Sequence, residues 1–197
     1  MSKADVASER KEQIVKATVD CISKYGYHNF SMQDVARTAG VSKGIIHYYF
    51  LNKDELMRFV LEKVSLGLEG QFLKNINKAL SPVDKIKVFI ELAFEVVQKT
   101  REYYQVSMDF WTQINQKEDV RQIISKHYDV VRGYGQDVIK EGIESGDFKK
   151  VDPYEYASYI MGAIDGISLQ WLFDHENYNY EAMVKMASSE LIRGLQK

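Results

Sequence analysis

The sequence predicts an all-α protein, because apolar residues recur at helical spacing through nearly all of its 197 residues and no segment alternates as a strand does. Two kinds of boundary signal agree with this class. Serine, asparagine or aspartate stands where helices should begin, and glycine stands where several of them should end. The elements follow from these signals in chain order.

The first helix is predicted from Ser8 to Tyr25, and Gly26 should end it. Cys21 is the single cysteine, so no intrachain disulfide is possible and a buried thiol in a reducing compartment is expected. The inner face of the helix, which should cover the two helices that follow, holds Ile14, Ala17, Cys21 and Tyr25.

Two short helices joined by a tight turn come next. Ser31 and Asp34 make a capping box, so the second helix should begin at Met32. Gly40 should end it, because glycine reaches the left-handed conformation that a tight reversal needs, and Ser42 caps a third helix. Residues 31–51 are therefore predicted to form a helix-turn-helix.

The third helix should run from Lys43 to Tyr49, with Ile46 and Phe50 pointing to the interior. Its outer face is polar or aromatic, as a helix in the major groove requires, and Gly44 lets the backbone come close. Free amides after the caps Ser31, Ser42 and Asn52 are expected to meet phosphates. The outer side chains expected to reach DNA are Lys43, His47, Tyr48 and Tyr49.

This region resembles the DNA-binding end of TetR-family transcriptional regulators. The resemblance spans about Glu9 to Val64 and rests on three runs, Ala39-Gly40-Val41-Ser42, His47-Tyr48-Tyr49-Phe50 and Asn52-Lys53-Asp54-Glu55. It implies a three-helix DNA-binding domain, a C-terminal helical ligand-binding and dimerisation domain, and about nine helices. It also implies DNA contacts from Lys43, Gly44, His47, Tyr48, Tyr49 and Lys53. Ile45 and His47 depart from the usual Thr and Tyr, which leaves the operator sequence open.

The remaining boundaries follow from further caps. Asn52, with Glu55 three residues on, should start a bridging helix over 53–80, which separates a DNA-binding domain (1–52) from a second domain (81–197). Ser81-Pro82 and Asp152-Pro153 each put proline at a first helical position. The downstream helices are predicted from Pro82 to about Lys99, around Tyr103 to Trp111, from about Glu118 to Ser145, from Pro153 to about Asp174, and from about Tyr180 to Leu195.

Charge and hydropathy restrict how the protein could bind DNA and where in the cell it is expected. The whole chain carries −2, but residues 1–63 hold ten Lys or Arg against eight Asp or Glu, whereas the remainder holds sixteen against twenty. Any contact with DNA must therefore come from local placement of basic residues rather than from bulk charge. Neither a signal peptide nor a membrane span is predicted, and a cytoplasmic protein without a membrane partner is expected.

The resemblance further implies a homodimer through the last two helices, a double-stranded operator and a small-molecule inducer, with repression as the expected sign. A pocket is hypothesised in the second domain, because its side chains are more aromatic and sulfur-bearing than an aliphatic core requires. A carboxylate from Asp109, Glu95 or Asp165 beside Trp111 would favour a lipophilic or quaternary cation. The candidate lining residues are Phe89, Phe94, Met108, Asp109, Trp111, Tyr128, Met161 and Trp171.

Two other classes of function are alternatives. Gly40-Val41-Ser42-Lys43-Gly44 matches the G-x-S-x-G elbow of serine hydrolases, yet a helix rather than a strand is predicted before Ser42. The histidines show no spacing typical of a metal site, and neither catalysis nor a bound cofactor is expected. A helical adaptor that binds only proteins is the other alternative, and it predicts no salt-dependent affinity for any duplex.

Overall fold

The computed structural model describes residues 3–26, 28–63, 81–99, 101, 108, 111 and 117–196. Within these ranges the regular structure is helical, apart from one isolated antiparallel bridge between Phe148 and Gln196. The eight helices of the described residues are α1 (Lys3–Tyr25), α2 (Met32–Ala39), α3 (Lys43–Tyr49), α4 (described over 53–63), α5 (Pro82–Lys99), α6 (Glu118–Ser145), α7 (Pro153–Phe173) and α8 (Tyr180–Arg193). The all-α prediction is confirmed.

The described residues fall into two compact units. Unit 1 takes α1 to α4 with residues 101, 108, 111 and 117–124, and unit 2 takes residues 81–99 and 125–196. Since α4 is part of unit 1, the predicted boundary at residue 52 lies inside a packed unit. Residues 64–80 of the predicted bridging helix lie outside the described residues, and so does most of the helix predicted around Tyr103 to Trp111.

In unit 1, α1 packs on α2 and α2 packs on α3. The predicted α1 began at Ser8, whereas the helix begins at Lys3, because the residues between them include good helix formers and no breaker. Tyr25, which the sequence predicts on the inner face, is 37% exposed at the last residue of the helix. The side chains that form the buried interior include Ile14, Ala17, Cys21, Val35, Ala36, Ile46, Phe50, Leu56 and Val60.

In unit 2, α5, α7 and α8 pack against one another around one apolar core. The two prolines stand at the first helical residues of α5 and α7, as predicted, and the caps Ser81 and Asp152 accept hydrogen bonds from the third helical amides. Tyr180 ties α8 to α5, because its buried hydroxyl donates to the Phe94 carbonyl oxygen at 3.0 Å. The core is thus held by apolar contact and by a buried polar link.

The end of α6 is closed by glycine. Gly146 has a φ of 84°, which is the left-handed stop that the sequence predicted. Four residues earlier, Gly142 lies directly against the buried ring of Phe148, so that a Cβ there would stand 2.1 Å from a ring carbon. Only a residue without a side chain fits between α6 and this ring.

Candidate nucleic-acid interface

The turn between α2 and α3 has the geometry that its residues predicted. Gly40 has a φ of 65°, and its amide donates to carbonyls at the end of α2. Ser42 is extended, and its side chain accepts the Ile45 amide at 3.3 Å, which caps α3. From α1, the Gln13 amide donates to the Ala39 carbonyl oxygen at 2.6 Å and so closes the end of α2. The helix-turn-helix is therefore held by local caps and by one hydrogen bond from α1.

The two faces of α3 differ sharply in exposure. Ile46 is 0% exposed and Phe50 is 2% exposed, so both hold the helix in the core of unit 1, as predicted. Tyr48 is 80% exposed, Ile45 is 38% exposed, and Lys43, Gly44 and His47 are exposed as well. The outer side of α3 is therefore a row of solvent-exposed side chains, and the buried inner side fixes the orientation of the helix.

Basic and aromatic groups flank this row. Tyr49 is half-buried and meets the ring of Tyr48 edge-on, with 4.9 Å between ring centroids. Phe50 packs on Phe59 of α4 at 5.3 Å, and the Lys11 ammonium lies 5.1 Å from the Phe59 ring centre. The end of α3 is thus supported from both α1 and α4.

The capping box at the start of α2 combines hydrogen bonds with an ion pair. The Asp34 carboxylate accepts the Ser31 hydroxyl at 2.6 Å and the Ser31 amide at 2.9 Å, and Arg37 pairs with its other oxygen at 2.5 Å. The hydrogen bonds from the Ser31 side chain and backbone, followed by the charge of Arg37, lower the pKa of Asp34 from its usual 3.8. Ser31 therefore serves α2 as a cap, with its own amide engaged by Asp34.

Lys53 lies at the first residue of α4 and points into unit 1. Its ammonium donates to the Phe30 carbonyl oxygen at 2.7 Å and to the His28 carbonyl oxygen at 3.5 Å, and it stands 3.8 Å from the centre of the Phe30 ring. Partial burial lowers the pKa of Lys53. Sequence reasoning missed this arrangement, although a cation in the first turn of a helix, where the dipole disfavours it, was the available signal.

The first turns of α4 also meet the start of α6 within unit 1. Lys117 pairs with Asp54 at 2.7 Å, and Arg58 pairs with Asp119 at 2.9 Å. The hydrogen bond from Arg58 lowers the pKa of Asp119. At the start of α4, Asn52 accepts the Glu55 amide at 2.9 Å, which confirms the predicted cap, while the Glu55 carboxylate accepts the Leu51 amide.

The geometry around Ser42 is that of a cap and not of a nucleophile elbow. The residue follows α2 rather than a strand, and its oxygen is engaged with the Ile45 amide. Among the described residues, no group of three metal-ligating side chains is assembled. None of the helices in the described part of the chain combines the length and the apolar character that a bilayer crossing requires.

The predicted pocket residues are only partly brought together. Phe89, Phe94 and Met161 are buried in the unit 2 core, and Tyr128 and Trp171 pack against that core while half-buried. Asp109 lies outside the described residues, and the half-buried Met108 and Trp111 belong to unit 1.

A half-buried polar link joins α6 to α7 in unit 2. The Tyr128 hydroxyl donates to the Asp165 carboxylate at 2.7 Å, and burial together with that negative charge raises the pKa of Tyr128. A groove of about 530 Å³ lies elsewhere, between α5 and α8, and its lining includes Phe94 and the candidate carboxylate Glu95. Asp165 is thus half-buried and hydrogen-bonded to α6, while the carboxylate expected beside Trp111 stays a prediction.

The chain matches two family models. Residues 14–59 match the model described as bacterial regulatory proteins, tetR family. Residues 82–196 match the model described as BetI-type transcriptional repressor, C-terminal. The first match covers the helix-turn-helix, and the second covers all of unit 2 from α5 onward.

Individual regulators are similar to this chain over nearly its whole length. The fatty acid metabolism regulator protein of Bacillus subtilis is 26% identical over 193 residues, which is 93% of this chain and 94% of that protein. A transcriptional regulator from Saccharomonospora viridis, solved with choline, superposes with a TM-score of 0.87 at 21% identity over 96% of this chain and 99% of its own. FadR from Bacillus subtilis, solved with stearoyl-CoA, gives a TM-score of 0.78 at 23% identity over 94% and 99%.

Proposed function

Because the chain belongs to the TetR family of bacterial transcriptional regulators, we propose that the outer face of α3 is the surface with which this ligand-responsive, DNA-binding regulator reads its operator. The observation that carries the proposal is the contrast between Ile46, fully buried, and Tyr48, 80% exposed, on one anchored helix. A helix of this kind enters the major groove, where base edges can be read.

The residues have separate roles in this proposal. Lys43, His47 and Tyr48 reach the groove or its phosphates, Gly44 allows close approach, and Tyr49 offers its hydroxyl to a phosphate. Ser31 and Ser42 act by capping the helices, and Lys53 acts by holding the chain before α2 in place. Most of the contacts position the protein, and few read bases.

We further propose that two copies pair through α7 and α8. Tyr159, Phe173 and Met186 are 62%, 76% and 54% exposed on these helices, which is unusual for apolar side chains of this size. A Cβ built on Gly162 or Gly166 of α7 would meet no atom of the described residues within 4 Å, so a second helix has room to approach. Two reading heads about 34–36 Å apart would then meet a palindromic operator, one half-site each.

The effector is proposed to bind unit 2 beside Tyr128 and Asp165. One similar protein holds choline and another holds stearoyl-CoA, so a quaternary ammonium and an acyl thioester are the two classes to compare. The Asp165 carboxylate favours the cation. Arg132, a basic residue one turn after Tyr128 on α6, pairs with Asp129 and lies on the Tyr154 ring. Binding would shift α6, alter the spacing of the heads and release the operator, so that the protein acts as a cytoplasmic repressor.

The test has two steps. Purified protein is used to select duplexes from a random pool, and the expected product is a palindrome whose affinity falls steeply with salt. Choline or stearoyl-CoA is then added to the complex, and release by choline is expected. Release by stearoyl-CoA alone would reassign the effector class, and selection of no duplex would contradict the DNA-reading role of α3.

A further inference from the structure

We propose that Ile45 determines part of the operator sequence by packing its side chain against the C5-methyl group of a thymine in each half-site. The inference rests on the proposed reading face of α3 and deepens it, because it names a base and an atom. Thymine is the only base that displays a methyl group in the major groove, so an apolar side chain there has one specific partner.

The position of Ile45 is fixed by the backbone. Its amide is held by the Ser42 cap at 3.3 Å, and the next residue, Ile46, is 0% exposed and locks the rotation of α3. Ile45 itself is 38% exposed. It therefore stands out from the helix at a defined angle while its neighbour is anchored in the core of unit 1.

The surroundings of Ile45 leave its side chain open to a partner. Gly44 precedes it without a side chain, and a Cβ built there would meet nothing closer than the Ser42 hydroxyl at 3.7 Å. Tyr48 follows three residues later on the same face and is 80% exposed. The two form a small apolar stretch at the middle of an otherwise polar outer row.

A single exposed isoleucine on a protein surface needs no explanation. On this surface Ile45 is different, because its side chain has neither donor nor acceptor and so gains nothing from phosphates or from polar base edges. If α3 enters the groove, the side chain either meets a methyl group or faces polar edges that lose their water. The sequence that binds most tightly is the one that places a thymine opposite Ile45.

The size of the effect follows from apolar burial. Removing one methyl-sized group from such a contact lowers affinity about fourfold, so a symmetric pair of contacts predicts about 15-fold. The experiment takes the duplex selected by the wild-type protein and replaces each symmetric pair of thymines by deoxyuridine, which lacks the methyl group and keeps the hydrogen-bonding edge.

We expect one thymine pair whose replacement lowers the affinity of the wild-type protein for the duplex about 15-fold. The same replacement should lower the affinity of the Ile45→Ala variant less than about twofold. Leu51→Ala is the control, because Leu51 is also exposed, at 80%, but lies outside α3, and this variant should keep the full thymine dependence. Thermal unfolding of all three proteins checks that each is folded.

Two results would overturn the inference while leaving the proposed function in place. One is a selected duplex in which no thymine pair responds to loss of its methyl group. The other is an equal response in the wild-type protein and in Ile45→Ala. If the wild-type protein selects no duplex, the reading role of α3 fails, and the inference fails with it.

Discussion

We propose that Lys53 serves DNA binding by positioning α2 rather than by touching DNA. Its ammonium makes two hydrogen bonds to carbonyl oxygens before α2 and lies on the Phe30 ring. A Lys53→Met variant keeps the apolar contact and loses the donors, which leaves the part-buried Phe30 carbonyl unpaired at a cost of about 1–3 kcal/mol in the free energy of unfolding. Operator affinity should fall because α2 and α3 are less firmly positioned.

The salt dependence of binding separates this role from a phosphate contact. Each phosphate contact adds about 0.9 to the slope of log affinity against log salt concentration. Lys53→Met should leave that slope unchanged, whereas Lys43→Met, at an exposed position of α3, should lower it by about 0.9 per reading head. A fall in slope for Lys53→Met would assign Lys53 to phosphate binding.

Asp34 should make the stability of the fold depend on pH in the acid range. Its folded pKa lies below the usual 3.8, because Ser31 donates to the carboxylate from its hydroxyl and its amide. The stabilisation is therefore complete above the unfolded pKa and is lost as the pH falls through the folded one. In urea unfolding between pH about 6 and about 3, the wild type should lose stability more steeply than Asp34→Asn.

Ser31→Ala provides the matched variant for that comparison. It removes the hydroxyl that donates to Asp34 and a helix cap worth about 1 kcal/mol, while the amide of residue 31 and Arg37 remain, so its stability should also respond less to acid. The double variant should be little worse than either single one, because the box acts as a unit. Equal acid sensitivity in the wild type and in Asp34→Asn would show that the box does not stabilise α2.

At the scale of the element, substitution by alanine is expected to have opposite effects on stability at two glycines of α6. A Cβ on Gly142 would lie within 3 Å of three ring carbons of the buried Phe148, so Gly142→Ala should destabilise unit 2 by about 1–3 kcal/mol. A Cβ on Gly133 would meet no atom of the described residues within 4 Å, so Gly133→Ala should stabilise the helix by up to about 1 kcal/mol. Denaturant unfolding measures both, and equal effects would contradict the close packing at Phe148.

The sequence predicted the ends of these elements better than their long-range contacts. Caps such as Ser31 and Ser42, and the left-handed stops at Gly40 and Gly146, act within four residues, so their signals are local. The links between α4 and α6, such as Lys117 to Asp54, join residues far apart in the chain, and a charged side chain at either end has many possible partners. Such pairs are exposed and contribute only about 0–1 kcal/mol each.

Of the two candidate sites, the sequence could predict the DNA-binding face but not the ligand pocket. The exposed row on α3 could be predicted because burial of Ile46 and Phe50 on a short helix forces their neighbours outward. The pocket residues could not be sorted, because an aromatic residue such as Phe89 fits a tight core and a roomy cavity equally well by composition. Only packing distinguishes the buried Phe89 from the half-buried Trp171.

At the scale of the whole molecule, net charge gives DNA binding little help. The chain carries −2, with the small positive excess confined to residues 1–63. Non-specific attraction to a polyanion is therefore weak, and tight binding requires that two reading heads act together. The dimer proposed through α7 and α8 supplies the second head.

The two open glycines of α7 allow that dependence to be tested. Gly162→Leu with Gly166→Leu adds side chains whose Cβ atoms would meet no described atom within 4 Å in the single chain, so each folded subunit should keep its stability. The same side chains would occupy the space of a partner helix, and sedimentation should then detect monomers. Since joining two heads raises affinity by about 10²–10⁴-fold, operator binding should fall at least 100-fold. Gly133→Leu, equally open but on α6, should stay dimeric, and a dimeric α7 variant with unchanged operator affinity would place the interface on another surface.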